Sequence, residues 1–210
     1  MYIFAEHLLC YYMKDSKEHI MKTAFMLFMQ KSYKAVTLRE IIARSGFSNG
    51  AFYHYFKTKE ELFIEVANHY WFEFINIPFH AWEGITLKDF IRESLQRSES
   101  VMDVIDKEFN MEGEGANFYS FVFEAYRIVP EFRERTLQAQ NMELAVWMGV
   151  IASARKSGEI GSDLDDQTLA QYFVTISYGN AITRLINQDV SYMRNTMRSL
   201  WEGLYDMIKA

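Results

Sequence analysis

Residues 37 to 62 read Thr37-Leu-Arg-Glu-Ile-Ile-Ala-Arg-Ser-Gly-Phe-Ser-Asn-Gly-Ala-Phe-Tyr-His-Tyr-Phe-Lys-Thr-Lys-Glu-Glu-Leu62, and no other stretch narrows the folding options as far. Thr37 and Glu40 have the spacing of a capping box: the hydroxyl satisfies an orphan N–H and the carboxylate returns to the cap. Ile41, Ile42 and Ala43 supply the apolar side of a helix about two turns long. Gly46 stands where a helix stops in a left-handed conformation, which a residue without Cβ adopts cheaply. Ser48 caps the next helix, whose small polar start, Ser48-Asn49-Gly50-Ala51, permits close approach to a partner. Phe52 and Phe56, four apart, share a buried face and leave Tyr53 and His54 pointing outward. Thr58 and Glu61 make a second capping box. Lys59 lies in that helix's first turn, where a cation opposes the helix dipole, so its presence points to an anionic partner such as phosphate.

Two short helices around a glycine turn, then an aromatic cluster and a third capped helix, make the layout of a helix-turn-helix. That motif presents one helix end to the DNA major groove. Charge supports a separate head for such a role. Residues 1 to 60 hold nine Lys/Arg against five acids, a net of +4, whereas the other 150 residues hold 13 basic and 23 acidic, a net of −10. A basic head on an acidic body steers polyanions to one end of the chain.

Half of the 210 residues are hydrophobic, and the only prolines are Pro78 and Pro130. Few breakers and long 3.6-period patterns predict an all-α fold of about nine helices. The expected organisation is an N-terminal extension (1–15), a three-helix head (16–60) and a helical body (61–210). Helix 1 is expected from Ser16 to Lys31, with Ile20, Ala24, Leu27 and Phe28 buried. Helix 4 begins at Thr58 and runs on until Pro78 breaks it, so head and body join without a soft linker. Helix 5 opens at Thr86 with a box-like partner in Asp89, and Met111 to Gly115 reads as a loop. Helix 6 spans Ala116 to Val129, and Pro130 starts helix 7, which reaches Lys156. Asp165 caps helix 8, which runs to Asn187. Ser191 caps helix 9, whose Met193, Met197, Leu200, Trp201, Leu204, Tyr205 and Ile208 form an apolar stripe.

Several classes of chemistry find no support. Cys10 is the only cysteine, so disulfide frameworks and thiolate zinc sites are out. The five histidines (7, 19, 54, 69, 80) lack paired metal spacing, and no Gly-rich phosphate loop occurs. Asp163, Asp165 and Asp166 hint at a cation loop, but the EF-hand glycine and terminal glutamate are missing, and helix capping explains them better. Neither an enzyme nor a cofactor or metal is expected. No apolar run approaches membrane-spanning length, so a cytoplasmic location without membrane contact is expected. Met1 to Met13 is apolar but lacks a basic start and a small-residue cleavage site. It reads as a dispensable extension, with a start at Met13 as the alternative.

Residues 20 to 66 closely resemble the DNA-binding segment of the TetR family of bacterial regulators, in which the recognition helix is followed by aromatics and a lysine at the spacing of Tyr53, Tyr55, Phe56 and Lys59. The resemblance implies that Thr37, Ser48, Tyr53, His54 and Lys59 contact phosphates and that Arg39, Asn49, Gly50 and Ala51 lie nearest the bases. Two positions depart from the family. Ala51 replaces a frequent Thr or Ser and leaves a methyl suited to a thymine methyl, and Ser32 replaces the usual glycine between helices 1 and 2.

A weaker resemblance covers Gly158 to Asp165 and the helix containing Gly179. It implies a homodimer through a four-helix interface of the last two helices of each subunit, to which helix 8 offers Leu169, Phe173, Ile176 and Ala181 and helix 9 offers Met197, Leu200, Trp201 and Leu204. The alternative is that helix 9 buries its stripe within its own subunit. The family further implies a pocket in the body for a small, largely apolar effector. Its lining candidates are Trp71, Phe74, Trp82, Met102, Phe118, Phe121, Tyr126, Trp147 and Tyr172, with Phe79, Phe109 and Met142 as further large adaptable residues. The implied function is a ligand-responsive regulator, most simply a repressor on a palindromic double-stranded operator. The alternatives are an activator of the same fold and, from another class, a helical protein that sequesters a hydrophobic ligand.

Overall fold

The computed structural model describes residues 16–75, 84–108, 117–187 and 190–210. Nine helices run through these described residues: α1 (Ser16–Gln30), α2 (Leu38–Ser45), α3 (Asn49–Tyr55), α4 (Lys59–Ile75), α5 (Leu87–Glu108), α6 (Asn117–Ile128), α7 (Phe132–Ser157), α8 (Asp166–Asn187) and α9 (Val190–Ile208). The only other regular pairing among them is an isolated antiparallel bridge between Ile160 and Lys209. The all-α expectation holds. The extension, Pro78, Phe79, Trp82, Phe109 and the 111–115 loop lie outside the described residues.

The chain divides into two compact units, one of Met1–Phe74 with Ser120–Phe132 and one of Ile75–Tyr119 with Arg133–Ala210. The first unit thus takes in most of α4 and of α6 beside the helix-turn-helix. Its core is built on phenylalanine. Phe25 of α1 stacks on Tyr70 of α4 at 4.2 Å between centroids, and meets Phe121 of α6 edge-on at 5.2 Å. Phe63 of α4 reaches Phe28 at 4.9 Å and Phe121 at 5.3 Å. Such offset pairs add about 0.5–1.5 kcal/mol each beyond the area they bury. The expected face of α1 is buried, and so are Met21, Phe25 and Met29, because α1 is covered on more than one side.

The second unit has a tryptophan-centred core. Trp147 of α7 stacks on Phe173 of α8 at 4.6 Å and 8°, with Phe90 of α5 and Trp201 of α9 edge-on at 4.6 and 5.0 Å. The Trp201 indole N–H donates to the Phe173 carbonyl at 3.0 Å, so its one polar atom enters the core satisfied. Leu87, Phe90, Ile91 and Leu95 of α5 and Met197, Trp201, Leu204 and Ile208 of α9 repeat at helical spacing into the same core.

Helix ends are fixed by specific donors and acceptors. Thr86 and Asp89 exchange bonds as expected, at 3.1 Å from Asp89 N to the hydroxyl and 2.9 Å from the hydroxyl to the carboxylate. The start of α5 gains a partner that the sequence did not announce. The Glu159 carboxylate accepts from the backbone N–H groups of Leu87 and Lys88, both at 2.9 Å, and from the Tyr205 hydroxyl at 3.1 Å. Asp165 caps α8 through Thr168 N at 2.8 Å, and Arg155 holds the preceding turn through Asp166 and the Ser162 and Leu164 carbonyls. Capping therefore accounts for Asp165, and an ion pair with Arg155 for Asp166.

Two expected starts move. Pro130 does not open α7. It occupies the second position of a turn closed by Phe132 N to Val129 O at 3.4 Å, with Glu131 at φ 60°, as in a type II turn. Helix α9 begins at Val190, so Ser191 lies in its first turn instead of at its cap.

Candidate nucleic-acid interface

The helix-turn-helix is assembled by its caps. Thr37, in extended conformation, accepts from Glu40 N at 3.2 Å, and Ser48 accepts from Ala51 N at 3.2 Å. Gly46 ends α2 at φ 72°, a conformation that disfavours any side chain although the space around it is open. The Glu40 carboxylate does not return to its cap as a capping box requires. It accepts from Lys31 at 2.6 Å, a full positive charge competing with a backbone amide, and lies 3.7 Å from Arg44. At the second box Glu61 N reaches Thr58 at 3.0 Å, while the Glu61 carboxylate accepts from Lys57 N at 2.8 Å, one residue before the cap.

Phe52 and Phe56 are fully buried with centroids 6.0 Å apart, and they anchor α3. The opposite side is open: Tyr53 is 52% exposed, and His54, Asn49 and Gly50 are exposed with Ala51 half-buried beside them. A Cβ at Gly50 would meet only the Ser48 hydroxyl, at 3.9 Å, which is ordinary contact. Thr37 and Arg39 are exposed on α2. On the expected apolar side of α2, Ile41 is buried, Ile42 is half-buried and Ala43 is exposed.

Cations of this unit fall into two groups. Lys17 pairs with Glu65, and Lys31 and Arg44 share Glu40. Lys34, Arg39 and Lys57 are exposed, and of these only Arg39 had been singled out from the sequence. Lys34 and Lys57 carried no signal beyond their charge.

Lys59 has partners inside the protein. Its ammonium donates to the carbonyls of Tyr33 and Val36, both at 2.8 Å, and lies 4.2 Å from the Tyr33 ring centroid. Partial burial lowers its pKa, and the Glu124 carboxylate opposes that shift. The dipole argument pointed to an anionic partner such as phosphate, whereas two of this ammonium's donors are taken by carbonyls of the α1–α2 turn. Glu124, which the sequence did not flag, accepts from Tyr33 N at 2.6 Å.

The described residues among those expected to line an effector pocket are divided between the two units. Trp71, Phe121 and Tyr126 belong to the first unit, where Phe121 is core and Trp71 and Tyr126 pack near Phe132 at 6.0 and 5.2 Å. Trp147 is core of the second unit, and Tyr172 and Met142 are exposed there. The side chains of Phe74, Met102 and Phe118, like Trp82, lie outside the described set.

A polar group inside the second unit was also missed. Glu143 of α7 accepts from the Tyr178 hydroxyl of α8 at 3.0 Å. Burial pushes its carboxyl up, while Tyr178 and the Arg97 guanidinium of α5 pull it down.

Of the residues expected at a dimer interface, Leu169, Phe173, Met197, Trp201 and Leu204 are buried in the core of their own subunit and Ile176 is half-buried, because α9 packs on both α8 and α5. Leu200 is 48% exposed, and Tyr172, Ile182 and Met207 join it as large exposed apolar residues of α8 and α9. The side chain of Ala181 is outside the described set.

Among the described residues no helix is long and apolar enough to cross a membrane, and no three His, Cys, Asp or Glu side chains are arranged to hold a metal.

Residues 20–66 match the family model for bacterial regulatory proteins of the tetR family. The chain is 43% identical over 58 residues to the uncharacterized HTH-type transcriptional regulator YerO of Bacillus subtilis, covering 28% of this chain and 20% of that one. It is 44% identical over 52 residues to the HTH-type transcriptional regulator QacR of Staphylococcus aureus, covering 25% and 28%. These matched segments thus span a fifth of YerO and little more than a quarter of QacR. A longer match, 24% identical over 150 residues and covering 71% and 70%, is to the HTH-type transcriptional repressor KstR2 of Rhodococcus jostii. The fold is similar to that of NalD, the secondary repressor of the MexAB-OprM multidrug efflux pump in Pseudomonas aeruginosa, with TM-score 0.65, 16% identity and coverage of 92% and 95%.

Proposed function

We propose that this chain, whose residues 20–66 match the tetR family of bacterial regulatory proteins, is a cytoplasmic, non-enzymatic repressor released from a palindromic operator by a small, largely apolar effector. One observation carries the reading. The phenylalanine anchor of α3 turns Tyr53 and His54 outward beside an open Asn49-Gly50 start, with Arg39, Lys34 and Lys57 exposed in the same unit. In this reading residues 16–60 bind DNA. Thr37, Ser48, Tyr53, His54 and the remaining donor of Lys59 meet phosphates, and Arg39, Asn49, Gly50 and Ala51 approach the bases.

Residues 61–210 bind the effector and dimerise. The exposed Tyr172, Ile182, Leu200 and Met207 support a homodimer through α8 and α9, with Leu169, Phe173, Met197, Trp201 and Leu204 shaping those helices from within. Two subunits place their recognition helices about one DNA turn apart, on successive half-sites. The effector favours a state with a different head separation, and DNA affinity falls by its differential affinity for the two states.

A mobility shift on DNA flanking the protein's own coding region, run across a salt series, tests this. A specific, salt-sensitive shift at two subunits per site is the expected result. A folded protein that retains neither specific nor nonspecific DNA at low salt would instead fit a sequestering role.

A further inference from the structure

The Tyr33 backbone is held from both sides. Its N–H donates to Glu124 of α6 at 2.6 Å, and its carbonyl accepts from Lys59 of α4 at 2.8 Å. The same ammonium donates to the Val36 carbonyl at 2.8 Å and lies over the Tyr33 ring, which packs edge-on against Phe63 of α4 at 4.8 Å. Val36 is fully buried, and the next residue, Thr37, caps α2. Two elements distant in sequence therefore fix the turn from Ser32 to Val36, and α2 starts where that turn ends.

We propose that Glu124 and Lys59 form a clamp on the α1–α2 turn that positions the helix-turn-helix, with Glu124 relaying the position of α6 to it. The proposal rests on the DNA-binding reading and adds a route separate from any tilt of α4. Both bonds join a full charge to a backbone group, which makes them stronger and more directional than neutral ones. Glu124 reaches a residue 91 positions earlier, so local helix capping does not explain it. The chain enters the first unit at Ser120 and leaves it at Phe132, having come from and returning to segments of the second. A displacement along that segment pulls on Tyr33 N, and α2 and α3 follow through Gly46. Glu124 is a positioning residue, since the contact it makes is with the turn.

The sign of the effect separates this role from a charge effect. Removing an acid from a DNA-binding unit raises affinity if charge alone matters. Loss of the clamp lowers it. The test compares full-length wild type with Glu124→Gln and Glu124→Ala by amide hydrogen exchange, thermal melting and mobility shift on duplexes that the wild type selects from a random pool. Exchange should quicken at Tyr33 and through α2 and α3 while the second unit keeps its protection. Affinity for the selected duplexes should fall about tenfold in Glu124→Ala and less in Glu124→Gln, which keeps an acceptor, with an unchanged salt slope because no phosphate contact is lost. Unchanged exchange in α2 and α3, or equal or tighter DNA binding by Glu124→Ala, which removes the acceptor, would overturn the clamp. Faster exchange throughout both units, with a lowered melting point, would overturn it too by making Glu124 a general stability element. If the wild type selects no duplex, the DNA-binding reading fails, and the exchange data still decide whether the clamp holds the two helices.

Discussion

The two units bury their aromatics alike and expose opposite things. In the first, Phe52 and Phe56 disappear so that Tyr53, His54 and a set of cations remain outside. In the second, Trp147, Phe173 and Trp201 disappear, and Leu200 and Met207 remain outside, Met207 at 77%. A surface for a polyanion needs charge and hydroxyls on a rigid base, whereas a surface for a second copy of the chain needs apolar area. On the proposed dimer, a buried stripe and a contact surface are different faces of the same helix.

The largest expected effect breaks the first unit outright. Phe52→Ala removes a fully buried ring and should cost about 3–5 kcal/mol, read by denaturant unfolding, with loss of DNA binding. Tyr53→Ala is its control: stability should stay within about 0.5 kcal/mol while affinity falls. If both variants lose stability alike, the outward face is part of the core. Next is Leu200→Glu, which puts a charge on the α8–α9 surface. Sedimentation should find a folded monomer, with dimer affinity down by about 100-fold. A dimer that persists would move the interface elsewhere.

Smaller effects sharpen the comparison. Arg39→Ala and Lys57→Ala should each weaken DNA binding and reduce the slope of log affinity against log salt by about one. An unaltered slope for Lys57→Ala would remove it from the interface.

Glu143→Gln probes the second unit. Burial raises the Glu143 pKa above its ordinary value, so the folded state holds that proton more tightly than the unfolded chain does. Its contribution to stability therefore falls as pH rises from the ordinary value to the raised one, and stays unfavourable above. Glutamine, which keeps an acceptor for Tyr178, should stabilise by about 1 kcal/mol at neutral pH, and the gain should shrink on acidification through the raised pKa. A pH-independent gain would locate the effect in packing.

What the sequence made legible was local. The caps by Thr37, Ser48, Thr58, Thr86 and Asp165, the Gly46 turn and the Phe52–Phe56 anchor depend on residues within four positions of one another, and each of these formed as expected. Acceptors chosen over long distances were not legible. Nothing near Glu124 marks Tyr33 as its donor, and nothing near Glu159 marks the start of α5. Competition misled as well. Glu40 had the spacing for a capping box, yet Lys31, nine residues away, offered a stronger donor. The α9 stripe predicted a buried face without saying whose core would bury it, because periodicity records only that water is excluded.

The open space at Gly50 bears on how such a protein changes over generations. A side chain added there meets only a hydroxyl at van der Waals distance, and neighbouring Asn49 is exposed. Substitutions at these positions leave the phenylalanine anchor and both caps untouched, so on the proposed DNA-binding reading base preference is free to drift without a folding penalty. A library randomised at Asn49 and Gly50 should therefore stay folded almost throughout and differ mainly in the sequences its members bind, making these two positions the natural starting point for redirecting the protein to a new operator.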